Sequence, residues 1–136
     1  MSEPAGGALQ ARAIVVGHGD VAAGLVSAVD QITGRGSALN PLSIQGLCLG
    51  DIEGLLRSRM TETGVRVIFT DLQAGSCTMA ARRLLRGMDD AVLVAGVNLP
   101  MLLDFVFAAD HTAPEAAKRA AERGRAAITT YANTGA

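Results

Sequence analysis

At 136 residues the chain is about one domain's worth, long enough to bury a core without disulfides or a structural metal. It is 49% apolar with only 3% aromatics and a formal net charge of −1, which excludes a global basic field for gathering nucleic acid and favours α/β layers over an all-β sandwich. Cys48 and Cys77 form no CxxC, and the first ten residues lack a basic start followed by an apolar run. A cytoplasmic protein with reduced thiols is therefore expected, with residues 1–10 a disordered leader and residues 11–136 one domain.

Residues 13–16 (Ala-Ile-Val-Val) have the pattern of a short buried parallel strand, ended by Gly17. A helix follows over 20–32, with Val21, Leu25, Val29 and Ile32 near helical spacing and Gly34 as C-cap. The next strand, 39–44, carries Pro41 and suits a sheet edge. Asp51 is the expected N-cap of a helix running to Thr63, with Ile52, Leu55, Leu56 and Met60 inward and Gly64 as its stop. Residues 65–70 (Val-Arg-Val-Ile-Phe-Thr) make the clearest strand, ending at Asp71, and the loop 72–76 leads into a helix over 77–86. Residues 91–97 form another continuous apolar strand, after which Asn98-Leu-Pro turns into a helix over 101–109. Gly96, Asn98, Pro100 and Asp104 interrupt the apolar run 91–107 and make it a poor membrane span. Pro114 opens a last helix over 115–125, and the β-prone residues 126–131 are expected to form a short final strand, frayed helix being the alternative.

Strand and helix thus alternate from end to end without a linker or repeat. The expectation is one doubly wound α/β domain, mostly parallel, with helices on both faces, strand order 2-1-3-4 and an antiparallel fifth strand at the C-terminus. Ligands of such sheets sit beyond the carboxyl ends of the strands, where strand order reverses.

Three strand ends carry the candidates. His18 lies between Gly17 and Gly19, which keep side chains away and let a reactant reach the ring. The helix that follows aims its free N–H groups at the same spot, which suits an anion. A histidine that only caps or fills a turn is the bland alternative. Asp71 ends a buried strand, where a carboxylate needs a partner. With strands one and three adjacent, it can hold one imidazole N–H of His18 and leave the other nitrogen nucleophilic. Capping the next helix is its alternative role. Gly75 and Ser76 precede a helix and offer backbone N–H groups and a hydroxyl as a phosphate cradle, though Gly-Ser is also common capping chemistry.

The remaining features favour ordinary roles. The run from Gly17 to Ala22 formally fits a dinucleotide fingerprint, but no acidic residue ends the second strand. His18 and His111 lack metal-ligand spacing, so no metal site is expected, nor any cofactor. Cys77 is read as a small helix-opening residue, with a lowered thiol pKa as the alternative. Arg82, Arg83 and Arg86 form a solvated helix face or meet an acidic partner protein.

Three stretches resemble mannose-family enzyme IIA domains of the sugar phosphotransferase system. They are Ile-Val-Val-Gly-His18-Gly, Phe-Thr-Asp71 with the Ala-Gly-Ser76 loop, and Ala-Gly-Val-Asn98-Leu-Pro-Met-Leu-Leu. The resemblance runs over about residues 13–131. It implies a phosphohistidine at His18, an aspartate bonded to that ring at Asp71, and a phosphate-facing hydroxyl at Ser76. It implies phosphoryl transfer from HPr to a histidine of a separate IIB component, and membrane contact only through IIC/IID partners. It also implies a homodimer that exchanges a C-terminal strand near residues 128–131. Ala74 and Cys77 depart from the family's Gly-Gly-Ser-Pro loop, and Gly17 replaces its Thr or Ser before the histidine. A regulatory or small-ligand-binding module on the same fold is the competing expectation. The phosphotransferase subunit of dihydroxyacetone kinase is a third, opposed by the Asn-Leu-Pro-Met signature.

Overall fold

The structure, a computed structural model, describes residues 10–133. Apart from Gln10, the expected leader lies outside the described residues. Strands β1 (Ala13–Gly17), β2 (Leu39–Ser43), β3 (Val67–Thr70) and β4 (Val92–Ala95) form one parallel sheet in the order β2-β1-β3-β4. Between and after them run helices α1 (Val21–Thr33), α2 (Leu49–Thr63), α3 (Ser76–Leu85), α4 (Leu99–Phe107) and α5 (Ala113–Ala126). The α/β class and the 2-1-3-4 order are as expected.

Side chains of β1 alternate between two cores, because successive residues of a strand point to opposite faces. Ala13 and Val15 pack with α1, α4 and α5, whereas Ile14 and Val16 pack with α2 and α3. Phe69 anchors the first core edge-to-face on Phe105, with ring centroids 5.1 Å apart; burial of such a side chain stabilises by about 1.5–3 kcal/mol. Pro41 sits in β2 at the sheet edge, where its missing N–H costs no internal pairing.

The helices differ from expectation in how their faces and ends are set. In α1 the inward stripe is Ala22, Leu25, Val26 and Val29, while Val21 and Ile32 are exposed. The observed stripe has the i, i+3, i+4, i+7 spacing of one helix face, and Val21 and Ile32 fall on its flank, in solvent. Gly34 is the left-handed C-cap (φ 74°), donating its N–H to the Asp30 carbonyl. Helix α2 begins two residues before Asp51, with Cys48 as N-cap. Asp51 instead lies in the first turn, beside the positive helix end, and accepts the Cys48 thiol at 3.1 Å. Ile52, Leu56 and Met60 are buried there, and Leu55 is half-buried. Strand β4 ends at Ala95 because Gly96 turns to φ 87° and the Gly96 and Val97 N–H groups both bond the Thr70 carbonyl. Helix α5 starts two residues before the expected Glu115, under a capping box in which the Thr112 hydroxyl and the Glu115 carboxylate each bond the other's backbone N–H.

The expected fifth strand is corrected. Ala126 closes α5, and residues 128–133 adopt no strand in the single chain. Ala126 is itself a strong helix former at the end of a capped helix, so the helix absorbs it, and Ile128 and Tyr131 stand out in solvent. Among the described residues no helix is long and apolar enough to cross a membrane. The apolar run 91–107 divides between β4 and α4.

Candidate functional site

The carboxyl ends of β1 and β3 lie side by side, since these strands pair from Ile14–Ile68 to Val16–Thr70. The residues just beyond them, His18 and Asp71, therefore meet where chain connections leave the sheet in opposite directions. Asp71 Oδ2 accepts the His18 backbone N–H at 2.9 Å and lies 2.8 Å from His18 Nδ1. The His18 side chain is 54% exposed and that of Asp71 only 12%. The arrangement is a carboxylate behind an imidazole whose outer edge faces solvent.

Gly17 eases this approach. A Cβ there would lie 3.0 Å from Cγ and Oδ2 of Asp71, closer than side chains pack without displacing one another. Gly19 (φ 52°) has open space above it and turns the chain into α1. Burial favours the neutral form of Asp71, but the His18 backbone N–H and ring together outweigh it and hold the carboxyl below its usual range. At neutral pH Asp71 is then ionised and can only accept hydrogen bonds. His18 Nδ1 must carry the proton between them, and in the neutral ring Nε2 then has a free lone pair.

Gly75 and Ser76 form the start of α3, Gly75 as N-cap at φ 112° and ψ 179°, a conformation open to glycine alone, and Ser76 as the first helical residue. No acidic residue of α3 itself occupies that first turn, and its positive end is of the kind that favours an anion. His18, Asp71, Gly19, Gly75 and Ser76 thus all belong to the loops at one end of the sheet. His111 lies elsewhere, paired with its neighbour Asp110 at 3.0 Å. Arg83 is tied to Glu53 at 3.3 Å, while Arg82 and Arg86 line a surface cavity of about 470 Å³ with Met79 and Leu93.

Two features were not anticipated from sequence. The Thr78 hydroxyl donates to the Leu72 carbonyl and accepts the Thr70 hydroxyl at 2.7 Å, which pins the loop after Asp71. The i, i+8 spacing of two buried threonines gives no local signal, because it joins a strand to a helix. Cys77 is buried beside the pair, and burial together with the Asp71 charge pushes its thiol up to about 11. This removes the alternative of a lowered thiol pKa: desolvation outweighs the helix start.

The third sequence signature has a structural role. Asn98 caps α4, its side-chain oxygen accepting the Met101 N–H at 3.0 Å, and its amide donates to the Gly124 carbonyl at 3.0 Å. It locks α4 to α5 without touching the His18–Asp71 pair.

The family profile for the "PTS system fructose IIA component" (EIIA-man) matches residues 12–122. The fold is shared with the mannose/sorbose specific IIA subunit of the phosphotransferase system from Enterococcus faecalis, at 23% identity over 90% of this chain and 96% of that one (TM-score 0.76). It is shared with phosphotransferase system component EIIA from Streptococcus agalactiae, at 20% identity over 89% and 97% (TM-score 0.76). A sigma-54 interaction domain protein from Enterococcus faecalis also has it, at 13% identity over 83% and 88% (TM-score 0.68). No curated protein matches the sequence. Because the profile spans most of the chain and includes both residues of the histidine–aspartate pair, the chain belongs to the mannose-type enzyme IIA family of the sugar phosphotransferase system.

Proposed function

We propose that the chain is a phosphocarrier: His18 accepts a phosphoryl group from phospho-HPr and hands it to a histidine of a separate IIB component. The observation that carries this reading is the 2.8 Å pairing of Nδ1 with a largely buried carboxylate beneath a half-exposed ring. A ring that stands clear of the surface can enter a partner protein's site. A catalyst for a small molecule would more often enclose it in a cleft. Exposed Val21 and Leu72, next to the two site loops, supply apolar contact for such docking.

In the forward step the Nε2 lone pair attacks phosphorus in line with the P–N bond of HPr. A new P–N bond forms on His18, the old one breaks, and its electron pair returns to the HPr ring. His18, now carrying a proton on Nδ1 and a phosphoryl group on Nε2, is cationic, and Asp71 offsets that charge. The N–H groups of Gly75 and Ser76 and the Ser76 hydroxyl take up the phosphoryl oxygens, with Gly19 leaving them room. Transfer to IIB repeats these events with His18 as leaving group. Positioning and charge stabilisation supply most of the catalysis in phosphoryl transfer.

The domain takes residues 11–136, acts in the cytoplasm and meets the membrane only through IIC/IID partners. It works as a homodimer. The free edge of β4 and the exposed residues Ile128 and Tyr131 support exchange of the C-terminal segment as an added strand. The fold occurs in the sigma-54 interaction domain protein too, so fold alone does not separate transport from regulation. The test is incubation with phosphoenolpyruvate, enzyme I and HPr, followed by mass spectrometry of the acid-labile adduct. Wild-type protein is expected to gain one phosphoryl group on His18 and His18→Ala none; labelling of that variant at the normal rate refutes the assignment.

A further inference from the structure

Cys77 has no part in the phosphocarrier chemistry, yet it stands next to it. One ring nitrogen of His18, one carboxylate oxygen of Asp71 and Cys77 Sγ all lie within 4.8 Å of one another. This is a nitrogen, oxygen and sulfur set drawn from two strand ends and a helix start. Spacing of the two histidines alone gave no metal site; the third ligand is a thiol that only the fold brings in. A second observation concerns Asp71. Its Oδ1 is buried and has no hydrogen-bond partner, a costly state for a carboxylate oxygen unless something engages it.

We propose that His18, Asp71 and Cys77 form a binding site for one divalent cation of the zinc class. Zinc takes imidazole nitrogen at about 2.0–2.1 Å, carboxylate oxygen at about 2.0–2.2 Å and thiolate sulfur at about 2.3 Å in a tetrahedron. At those lengths and angles neighbouring ligands sit about 3.3–3.6 Å apart. The Nδ1–Oδ2 pair at 2.8 Å opens by about half an ångström, and a sulfur at the far limit closes by little more than about 1 Å. These shifts are within reach of an exposed imidazole and a loop residue. Three protein ligands leave the fourth position to water, on the side where His18 meets solvent. Mixed N, O and S donors select zinc-class ions over magnesium or calcium, which prefer oxygen alone. As the metal–ligand bonds form, the Cys77 thiol proton leaves to solvent and the His18 ring proton passes from Nδ1 to the solvent-facing Nε2, which frees the Nδ1 lone pair for the metal.

Occupancy has a consequence for the histidine. The cation engages the ring and the carboxylate that orients it, so a metal-bound His18 is withdrawn from phosphoryl exchange. The site exists because Cys77 stands where the family's loop carries proline.

The test uses the full unphosphorylated chain and cobalt(II), a spectroscopic substitute for zinc. Titration is expected to produce a thiolate-to-cobalt charge-transfer band in the near ultraviolet, saturating at one ion per chain and displaced by zinc. Cys77→Ala is expected to abolish the band, His18→Gln to weaken binding by about tenfold or more, and Cys48→Ser to leave both unchanged. Circular dichroism of the variants establishes that they fold, and His18→Gln, at an exposed position, keeps the test open if Cys77→Ala does not. Absence of the band, or its survival in folded Cys77→Ala with loss in Cys48→Ser, overturns the proposal. The readout needs no phosphate donor, so failure of the phosphocarrier assay and failure of this site are separate results.

Discussion

Replacing Asp71 by Asn tests the histidine–carboxylate pair most directly. The two side chains have nearly the same size, so the variant keeps the packing beneath His18 and removes only the charge. Asp71 accepts two hydrogen bonds from His18, at 2.9 Å from the backbone N–H and 2.8 Å from Nδ1. A hydrogen bond to a charged group contributes about 1.5–3 kcal/mol. The Nδ1 bond strengthens when the ring becomes cationic in transfer, so most of that sum belongs to the transition state and not to the ground state. At about 1.36 kcal/mol per factor of ten, Asp71→Asn is expected to slow phosphoryl uptake by about 10- to 150-fold. The assay is the initial rate of label transfer from isolated phospho-HPr, with circular dichroism and thermal melting alongside. A folded variant with a rate within about twofold of wild type refutes the role given to Asp71. The same residue predicts a pH dependence of stability. Its folded pKa lies below the ordinary 3.8, so its contribution is full above the unfolded value and is lost as pH falls through the folded one. Wild type is therefore expected to lose stability relative to Asp71→Asn on acidification through that window, read from urea midpoints. An unchanged difference across the window contradicts the depressed pKa.

Other perturbations test the scaffold. A Cβ on Gly124 would sit 2.7 Å from Met101 Cε and 2.9 Å from Asn98 Oδ1, so Gly124→Ala is expected to destabilise by about 1–3 kcal/mol through overpacking; a midpoint unchanged in urea unfolding would show that α4 and α5 yield freely. Thr78→Val keeps the shape but removes the hydroxyl shared with Thr70 and the Leu72 carbonyl, and is expected to cost about 1–3 kcal/mol and to raise hydrogen exchange in the loop after Asp71. Exchange equal to wild type there would remove the pin. Cys48 is exposed and Cys77 buried with its thiol near 11, so iodoacetamide at pH 8 is expected to alkylate Cys48 alone in the native chain; native labelling of Cys77 at a similar rate contradicts its burial.

Where sequence pattern tracked a local physical cause, it carried through to structure. β1 is a continuous apolar run because both of its faces are covered, and Pro41 marked β2 as an edge. Gly34 and Gly64 stop their helices in the left-handed conformation. His18 was conspicuous because no packing role explains an imidazole between glycines at a strand end, and Asp71 because a strand terminus is a poor place for a lone carboxylate. What escaped depends on pairs distant in sequence. Val21 and Ile32 have apolar side chains near helical spacing, yet the face of α1 is chosen by its contacts with α4 and the sheet. The Thr70–Thr78 pin and the place of Cys77 follow from how β3 delivers α3, which no local pattern encodes. The last strand failed because residues 126–131 pair with no strand of the single chain, and pairing rather than propensity makes a strand.

The departures from the family's second loop now have unequal weight. Positive φ is one condition that calls for glycine, and at this turn the position that meets it is Gly75 at φ 112°, which the chain keeps. No residue other than glycine has positive φ among the described residues, so Ala74 occupies a conformation open to any side chain, and the loss of glycine there strains nothing. The anion-facing start of α3 is accordingly intact. Cys77 is the departure with chemical content. Proline in the first turn of a helix sacrifices no hydrogen bond, so replacing it leaves the helix start whole while bringing a polarizable sulfur to a histidine and a carboxylate. Gly17 works in the same place from the other side, since a Cβ there would press on Asp71 at 3.0 Å. The substitutions therefore preserve the turn at the start of α3 and alter what surrounds the imidazole.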